Sequence, residues 1–182
     1  MGKILEKLEA HHETFIGKQP LFFVATATAE STINLSPKGM DTFRVLGPSQ
    51  AAYLDLTGSG NETAAHVRKD GRITIMFCSF DKKPLIIRLR GKGAVIGRKD
   101  PEWQKYSDHF EEIAGARQII LIEIDTVQES CGYAVPFMEL SQERKLLCDV
   151  FEAKEEAEIS EYWEKKNQRS IDGIDTGINK HL

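Results

Sequence analysis

The stretch "DLTGSGNETAAHV", residues 55–67, decides how this chain is organised. It continues an apolar run over residues 51–56 that predicts a β-strand, and it leads into a helical stretch that begins near Asn61. Gly58 and Gly60 interrupt the strand, because glycine adopts backbone conformations that other residues avoid. The stretch therefore predicts a strand, a tight turn and a helix start in quick succession.

Two interpretations of this turn are open. A helix start carries free N–H groups with partial positive charge, which suit a phosphate group. The side chains of Thr57, Ser59, Asn61 and Thr63 add hydrogen-bond donors. The alternative is a plain strand-to-helix turn in which Ser59 or Asn61 caps the helix. The segment lacks the G-K-[ST] of a Walker A loop and the third glycine of the dinucleotide fingerprint.

Runs of strand character surround the turn, separated by short turn signals. Residues 29–31 join two of them as a predicted hairpin, residues 37–39 form a predicted turn, and Gly91 and Gly93 predict a bulge or sharp curl. Short connections argue for an antiparallel barrel or Greek key rather than βαβ units. The predicted strands cover residues 21–27, 32–36, 42–46, 51–56, 72–78, 84–96 and 118–127.

Helices flank this mainly-β region. Apolar residues spaced by three and four predict an amphipathic helix over residues 3–16, and Asp100 with Pro101 begins another that runs to about Phe110. Residues 141–166 are predicted to be helical, as one interrupted helix or as two. We therefore divide the chain into an N-terminal helix (1–17), a barrel domain (18–140) and a C-terminal helical extension and tail (141–182).

The composition excludes several classes of protein. A net charge of −4 without a basic cluster argues against nucleic-acid binding. No apolar run approaches the roughly 20 residues of a membrane span, and the N-terminus lacks the apolar core of a signal peptide. A cytoplasmic location is expected. The three cysteines, Cys78, Cys131 and Cys148, form no C-x-x-C pair and are expected to be free thiols.

Six motifs occur along the chain in a characteristic order. They are "NLSPKG" (34–39), "FRVLG" (43–47), the stretch 55–67, "RITIMF" (72–77), "IIRLRGKG" (86–93) and "CGYAVP" (131–136). This order resembles the FMN-binding split barrel of the pyridoxamine 5′-phosphate oxidase-like superfamily, over roughly residues 18–140. It is most similar to the branch of short flavin-nucleotide-binding proteins within that superfamily.

The resemblance implies a six-stranded antiparallel split β-barrel with Greek-key connections, a homodimer, and FMN in a cleft between the subunits. It implies that the flavin phosphate lies near residues 57–63. Together with the chemistry of the individual side chains, it gives a set of expected cofactor-binding residues: Lys38, Arg44, Val45, Asp55, Thr57, Gly58, Ser59, Gly60, Asn61, Thr63, His66, Arg88, Cys131 and Tyr133.

One departure from the family matters for the phosphate. Pyridoxamine 5′-phosphate oxidases carry a basic pair just after the serine of this loop, where this chain has Gly60 and Asn61. Other cations must then balance the phosphate, and the candidates are Lys38, Arg44, Arg88 and Arg90. The C-terminal substrate-binding region of those oxidases is not recognisable either, so oxidation of pyridoxamine phosphate is not carried over.

Several candidates have a purely structural alternative. Lys38 suits a surface turn as well as a phosphate contact, and His66 suits packing beneath its helix as well as a pocket. Arg44 and Arg88 lie in apolar strands, where each must face solvent or meet an anion. Arg88 and Arg90 share one strand face.

Residues 131–136 and the C-terminal tail also have two interpretations each. Cys131 suits a small buried position or a place beside a flavin, and Tyr133 suits ring stacking or packing between subunits. Residues 167–177 either fold back onto the dimer or are disordered. Four of the histidines, His11, His12, His109 and His181, make no metal set, and no metal is expected.

The favoured function is therefore that of an FMN-binding protein, with a flavin-dependent oxidoreductase activity of unknown substrate. Two alternatives remain: a carrier or sensor of flavin or haem without catalysis, and a deazaflavin-dependent reductase.

Overall fold

A computed structural model of the chain describes residues 2–180. Met1, His181 and Leu182 lie outside the described residues, and with them the extreme ends of the predicted segments 1–17 and 141–182 and the prediction for His181. The strands are β1 (Lys3–Leu5), β2 (Phe22–Thr26), β3 (Asn34–Lys38), β4 (Phe43–Gly47), β5 (Gln50–Leu56), β6 (Arg72–Cys78), β7 (Ile86–Gly97) and β8 (Ala116–Ser130). The helices are α1 (Ala10–Ile16), α2 (Glu62–Lys69), α3 (Trp103–Ser107), α4 (Leu146–Glu152) and α5 (Glu156–Lys166), followed by a 3₁₀ turn at Ile178–Lys180.

All eight strands belong to one antiparallel sheet, in the order β3-β2-β6-β7-β8-β5-β4, with β1 paired to the far end of β8. The prediction of a mainly-β fold with flanking helices is confirmed. Seven strands correspond to the seven predicted runs. These seven already exceed the six strands that the resemblance implies, and β1 brings the count among the described residues to eight.

The sheet curls until its two ends meet. Phe22 on β2 lies near one end of the strand order and Phe43 on β4 lies at the other, yet their ring centroids are 5.1 Å apart. Phe22 also contacts Tyr53 on β5 at 5.6 Å. Burial of these rings with the inward aliphatic side chains of β2, β5, β6, β7 and β8 forms the barrel core.

A bulge in β7 sharpens the curl. The register between β7 and β8 shifts between Arg90 and Gly91, as the predicted bulge requires. A Cβ atom at Gly91 would lie 1.8 Å from the carbonyl oxygen of Glu123, so only glycine lets the two backbones approach this closely.

Four local predictions need correction. Residues 3–5 form strand β1 instead of helix, because their backbone pairs with residues 127–129 of β8 and the helix begins only at Ala10. Residues 37 and 38 end strand β3 instead of forming a turn; Pro37 is tolerated there because β3 is an edge strand. The C-terminal helical region begins at Leu146, not at residue 141, and it is two helices. The helix predicted from Asp100 is limited to Trp103–Ser107.

Other predictions hold. β2 and β3 form the predicted hairpin. Cys78, Cys131 and Cys148 are free thiols. Within residues 2–180, no helix combines the length and the apolar character needed to cross a bilayer.

Candidate functional site

A cavity of about 660 Å³ opens where the end of β5, the start of α2 and the start of β8 come together. Strand β3 forms one side and the segment after α5 forms the other. This volume lies within the usual range of small-molecule sites. The lining includes the turn of the opening motif, from Gly58 to Thr63.

Asp55 is the central charge of this region and is almost fully buried. One of its oxygens accepts a hydrogen bond from Lys38 Nζ at 2.8 Å. The other accepts from Arg117 Nη2 at 2.7 Å and from Gln118 Nε2 at 2.9 Å. Burial alone would raise the pKa of Asp55, but the charges and hydrogen bonds of Lys38 and Arg117 more than offset it and hold that pKa well below its usual range. Asp55 is therefore a carboxylate at neutral pH.

The carbonyl groups of Gly58 and Gly60 in the turn point into the protein. The Gly58 carbonyl accepts a hydrogen bond from Asn167 Nδ2 at 3.1 Å, and the Gly60 carbonyl accepts from Arg117 Nη1 at 3.1 Å. The same Nη1 donates to Asn167 Oδ1 at 2.7 Å. Within the part of the chain that the structure describes, the backbone N–H groups of residues 58–63 have no acceptor. The turn thus uses its acceptors internally and leaves its donors available.

Asn61 occupies the cap position of α2 but does not cap it. Its Oδ1 accepts from Gln118 Nε2 at 2.7 Å, so it is unavailable to the first turn of the helix. Its Nδ2 is buried without a hydrogen-bond partner, although Asn61 lines the cavity. The capped-turn interpretation is therefore not supported, because Asn61 Oδ1 accepts from Gln118 and not from the N–H groups at the start of α2.

The tail folds back onto the turn. Trp163 on α5 donates its indole N–H to Thr57 Oγ1 at 2.9 Å, and Thr57 donates in turn to the Gly115 carbonyl at 2.7 Å. Thr176 donates to the Asn167 carbonyl at 2.6 Å. In the structure, residues 167–177 fold back onto the turn of their own chain, and folding back onto a dimer stays a prediction.

The cavity is richer in cations than the sequence indicated. Lys38, Arg117, Lys166 and Arg169 line it, against the carboxylates of Asp55 and Glu62. Glu62 accepts the backbone N–H of Ile171 at 3.1 Å, which directs its carboxylate towards the tail. The excess positive charge, the free N–H groups and the helix start together suit an anionic group such as a phosphate.

Comparisons with known proteins agree with this architecture. The profile of the pyridoxamine 5′-phosphate oxidase family matches residues 8–131. The chain belongs to the pyridoxamine 5′-phosphate oxidase family. The pyridoxamine 5′-phosphate oxidase family protein ustO of Aspergillus flavus is 41% identical over 175 residues, which cover 86% of this chain and 70% of the relative.

Two solved structures show the split-barrel fold of the family. A pyridoxamine 5′-phosphate oxidase candidate from Lactobacillus delbrueckii superposes with a TM-score of 0.55 at 19% identity, covering 68% of this chain and 94% of its own. An FAD-binding protein from Mycobacterium smegmatis superposes with a TM-score of 0.50 at 12% identity, covering 69% of this chain and 97% of its own.

The structure brings together half of the residues expected from the family resemblance. Those that line the cavity are Lys38, Asp55, Gly58, Ser59, Gly60, Asn61 and Thr63. Thr57 lies directly behind the turn, and His66 is buried under α2 with Nδ1 3.1 Å from Thr26 Oγ1.

Five expected residues lie elsewhere in the chain. Arg44 contacts Asp41 and the His109 carbonyl, and Val45 packs against the core. Arg88 donates to Ser130 Oγ. Arg90, a further candidate cation for the phosphate, donates to Gln128. Cys131 and Tyr133 are exposed beyond the end of β8. That end lies about 43 Å along the strand from Arg117, at about 3.3 Å per residue. Their roles stay predictions.

Sequence reasoning missed Arg117, Asn167, Lys166 and Arg169. A signal existed for Arg117, since a charged residue begins the apolar strand "ARQIILIEI", just as Arg44 and Arg88 interrupt theirs. The other three gave no such signal, because their approach to the turn depends on how the tail folds back.

Proposed function

We propose that this protein binds FMN with its phosphate at the turn of residues 57–63, and that it is a flavin-dependent oxidoreductase. The observation that supports this best is the difference between the backbone carbonyl groups and the backbone N–H groups of the turn. The carbonyl groups of Gly58 and Gly60 accept hydrogen bonds from Asn167 and Arg117, whereas the N–H groups of residues 58–63 have no acceptor among the described residues. A phosphate supplies acceptors of the required charge.

The surrounding side chains also suit a phosphate group. Asn61 Nδ2 needs an acceptor, and the hydroxyl groups of Ser59 and Thr63 lie on the same cavity wall. Lys166 and Arg169 would take the place of the basic pair that this loop lacks. The FAD-binding protein of the same fold is consistent with a flavin, and the family resemblance favours FMN.

The side chains of the cavity are suited to holding a cofactor rather than to acid–base chemistry. Asp55 is held as a carboxylate by Lys38 and Arg117, so it neither gives nor takes a proton near neutral pH. When bound, FMN would supply the electron or hydride transfer, and the protein would position it and exclude water.

We further propose a cytoplasmic homodimer in which the partner subunit completes the site. Six large apolar side chains are exposed in one segment after β8: Tyr133, Phe137, Met138, Leu140, Leu146 and Val150. Tyr133 is 83% exposed. An apolar surface of this kind marks an interface. A second subunit would also explain how Cys131 and Tyr133 could reach a cavity that lies at the opposite end of β8.

The binding test compares FMN with riboflavin, which lacks the phosphate. We expect flavin-free protein to bind FMN more tightly than riboflavin, measured by quenching of flavin fluorescence. Replacing Ser59 and Lys38 together by alanine should weaken FMN binding about 10-fold or more, because hydrogen bonds to charged groups contribute about 1.5–3 kcal/mol. Riboflavin binding should change little. Gly60→Val should weaken FMN binding further by blocking the approach to the backbone.

Arg72→Ala is the matched control, since Arg72 is exposed and pairs with Asp70 away from the cavity. Equal affinity for the two flavins, or an equal loss in Arg72→Ala, would mean that the phosphate lies elsewhere. A haem spectrum in the purified protein, or binding of a deazaflavin in preference to FMN, would favour an alternative. Bleaching by NADH or NADPH without air, followed by reoxidation with trial acceptors, separates an enzyme from a carrier.

The dimer is tested by light scattering coupled to size exclusion. Leu146→Glu should shift the protein towards the monomer mass, because it places a charge in the apolar segment. Lys99→Glu, at an exposed position outside the segment, should leave the mass unchanged. A wild-type protein of monomer mass would contradict the dimer.

A further inference from the structure

A second cluster of polar groups lies beside the cavity, between α2 and the tail. Glu62 and His66 are four residues apart on α2 and therefore share one face of the helix. The tail adds Asp172. One carboxylate oxygen from each acid and a ring nitrogen of His66 all lie within 4.8 Å of one another.

His66 has a buried ring nitrogen without a hydrogen-bond partner, which indicates a ligand. The residue is only 1% exposed, and its Nε2 has no hydrogen-bond partner. A buried polar atom without a partner is costly and uncommon. Nδ1 lies 3.1 Å from Thr26 Oγ1, which can accept the Nδ1 proton and leave a lone pair on Nε2. Metal-binding histidines are commonly oriented by such a bond on the other nitrogen.

Both carboxylates are already oriented by backbone N–H groups. Ile171 N donates to Glu62, and Thr32 donates to Asp172 Oδ2 through its N–H at 3.0 Å and its hydroxyl at 2.8 Å. Neither carboxylate forms an ion pair with a lysine or arginine among residues 2–180. Two neighbouring negative charges repel each other, and a cation between them would remove that repulsion.

We propose that Glu62, His66 and Asp172 bind one divalent transition-metal ion of the Zn²⁺ type. Imidazole and carboxylate groups are its usual ligands, at about 2.0–2.2 Å. Bound there, the ion joins α2 to the tail that forms one wall of the cavity. This departs from the sequence expectation of no metal, which rested on His11, His12, His109 and His181 alone.

Among the described residues, a second cluster of this kind, Glu9 with His11 and His12, is a poorer metal site and makes a useful control. His12 Nδ1 accepts the backbone N–H of Glu9 at 2.9 Å, so the ring proton is on Nε2. That Nε2 donates to Glu129 at 2.8 Å. Both nitrogens of His12 are therefore committed, whereas His66 has one free.

The test uses the full chain, stripped of metal with a chelator and free of flavin, so that its result does not depend on FMN binding. Calorimetric titration with Zn²⁺ should show one equivalent bound, and Co²⁺ should give visible d–d bands. Asp172→Asn should weaken Zn²⁺ binding by at least about 10-fold and remove the Co²⁺ bands. Asp172 is exposed, and asparagine can still accept from Thr32, so this variant should fold. His66→Ala should also lose binding, with its fold checked by circular dichroism.

His11→Ala is the matched control and should bind Zn²⁺ as the wild type does. The absence of saturable binding at one equivalent would overturn the proposal. So would binding that survives Asp172→Asn but is lost in His11→Ala, since this would put the ion at the N-terminal cluster.

Discussion

Replacing Asp55 by asparagine would test the central ion pairs of the site. Asparagine has nearly the same shape, but it removes the charge and replaces one acceptor oxygen by a donor. Lys38 is partly exposed and can turn to solvent, whereas the Arg117 side chain is only 3% exposed and the Asp55 side chain 2%. The substitution therefore leaves the Arg117 charge buried among neutral oxygens, including those of Gly60 and Asn167, with its carboxylate partner removed.

The expected loss follows from this burial. Removing one partner of a buried ion pair costs about 3–5 kcal/mol. Because asparagine still accepts one of the hydrogen bonds, we expect about 3 kcal/mol. That is a large share of the roughly 5–15 kcal/mol by which domains are stable, and it corresponds to a fall in Tm of roughly 6–12 °C for a chain of this size.

Asp41→Asn is the matched control. Asp41 also pairs with an arginine, Arg44, but its side chain is 82% exposed. The loss there should stay under about 1 kcal/mol, because solvent screens exposed ion pairs. Asp41 has a positive φ of 51°, which asparagine tolerates well, so the backbone adds no penalty.

Equilibrium unfolding in urea, followed by tryptophan fluorescence and circular dichroism at a fixed protein concentration, measures both variants. The reasoning would be refuted if Asp55→Asn lost no more unfolding free energy than Asp41→Asn. That outcome would mean that Arg117 is solvated or paired differently from what the structure shows.

Three further predictions concern pH, the bulge and the tail. The pKa of Asp55 in the folded protein lies below its unfolded value of about 3.9. The contribution of Asp55 to the free energy of unfolding is therefore fully present above about pH 4 and is lost as the pH falls. The urea midpoints measured near pH 7 and near pH 3 should accordingly differ less in Asp55→Asn than in the wild type. Gly91→Ala should lower the free energy of unfolding by at least about 2 kcal/mol or prevent folding, because its Cβ would lie 1.8 Å from a carbonyl oxygen of β8. Gly47→Ala is the control: no atom lies within 4 Å of its Cβ position, so it should be nearly neutral in the same urea assay. Trp163→Phe removes a buried donor to Thr57 and should lower the unfolding free energy by about 1–3 kcal/mol; an unchanged value would contradict docking of the tail on the turn.

The errors in the predicted fold come from contacts that the local pattern does not contain. Residues 3–5 have helical spacing, but pairing with β8 holds them as a strand. Lys38 follows a proline and looked like a turn residue, but the edge position of β3 lets the strand continue through Pro37. In both cases the deciding partner is distant in sequence, and tertiary pairing overrides local preference.

The sequence alone determined the strand–turn–helix element at residues 55–67, the succession of strands around it, the bulge at Gly91 and the family. These features depend on the alternation of apolar and polar residues, on the backbone conformations open to glycine and on the order of motifs. All three can be read directly from the sequence. Only the tertiary structure decided which cations meet the turn: Arg117 reaches it across the sheet, and Lys166 and Arg169 reach it because the tail folds back. Electrostatic and hydrogen-bond partners are selected by distance in space, and that distance depends on how the barrel closes and where the tail docks.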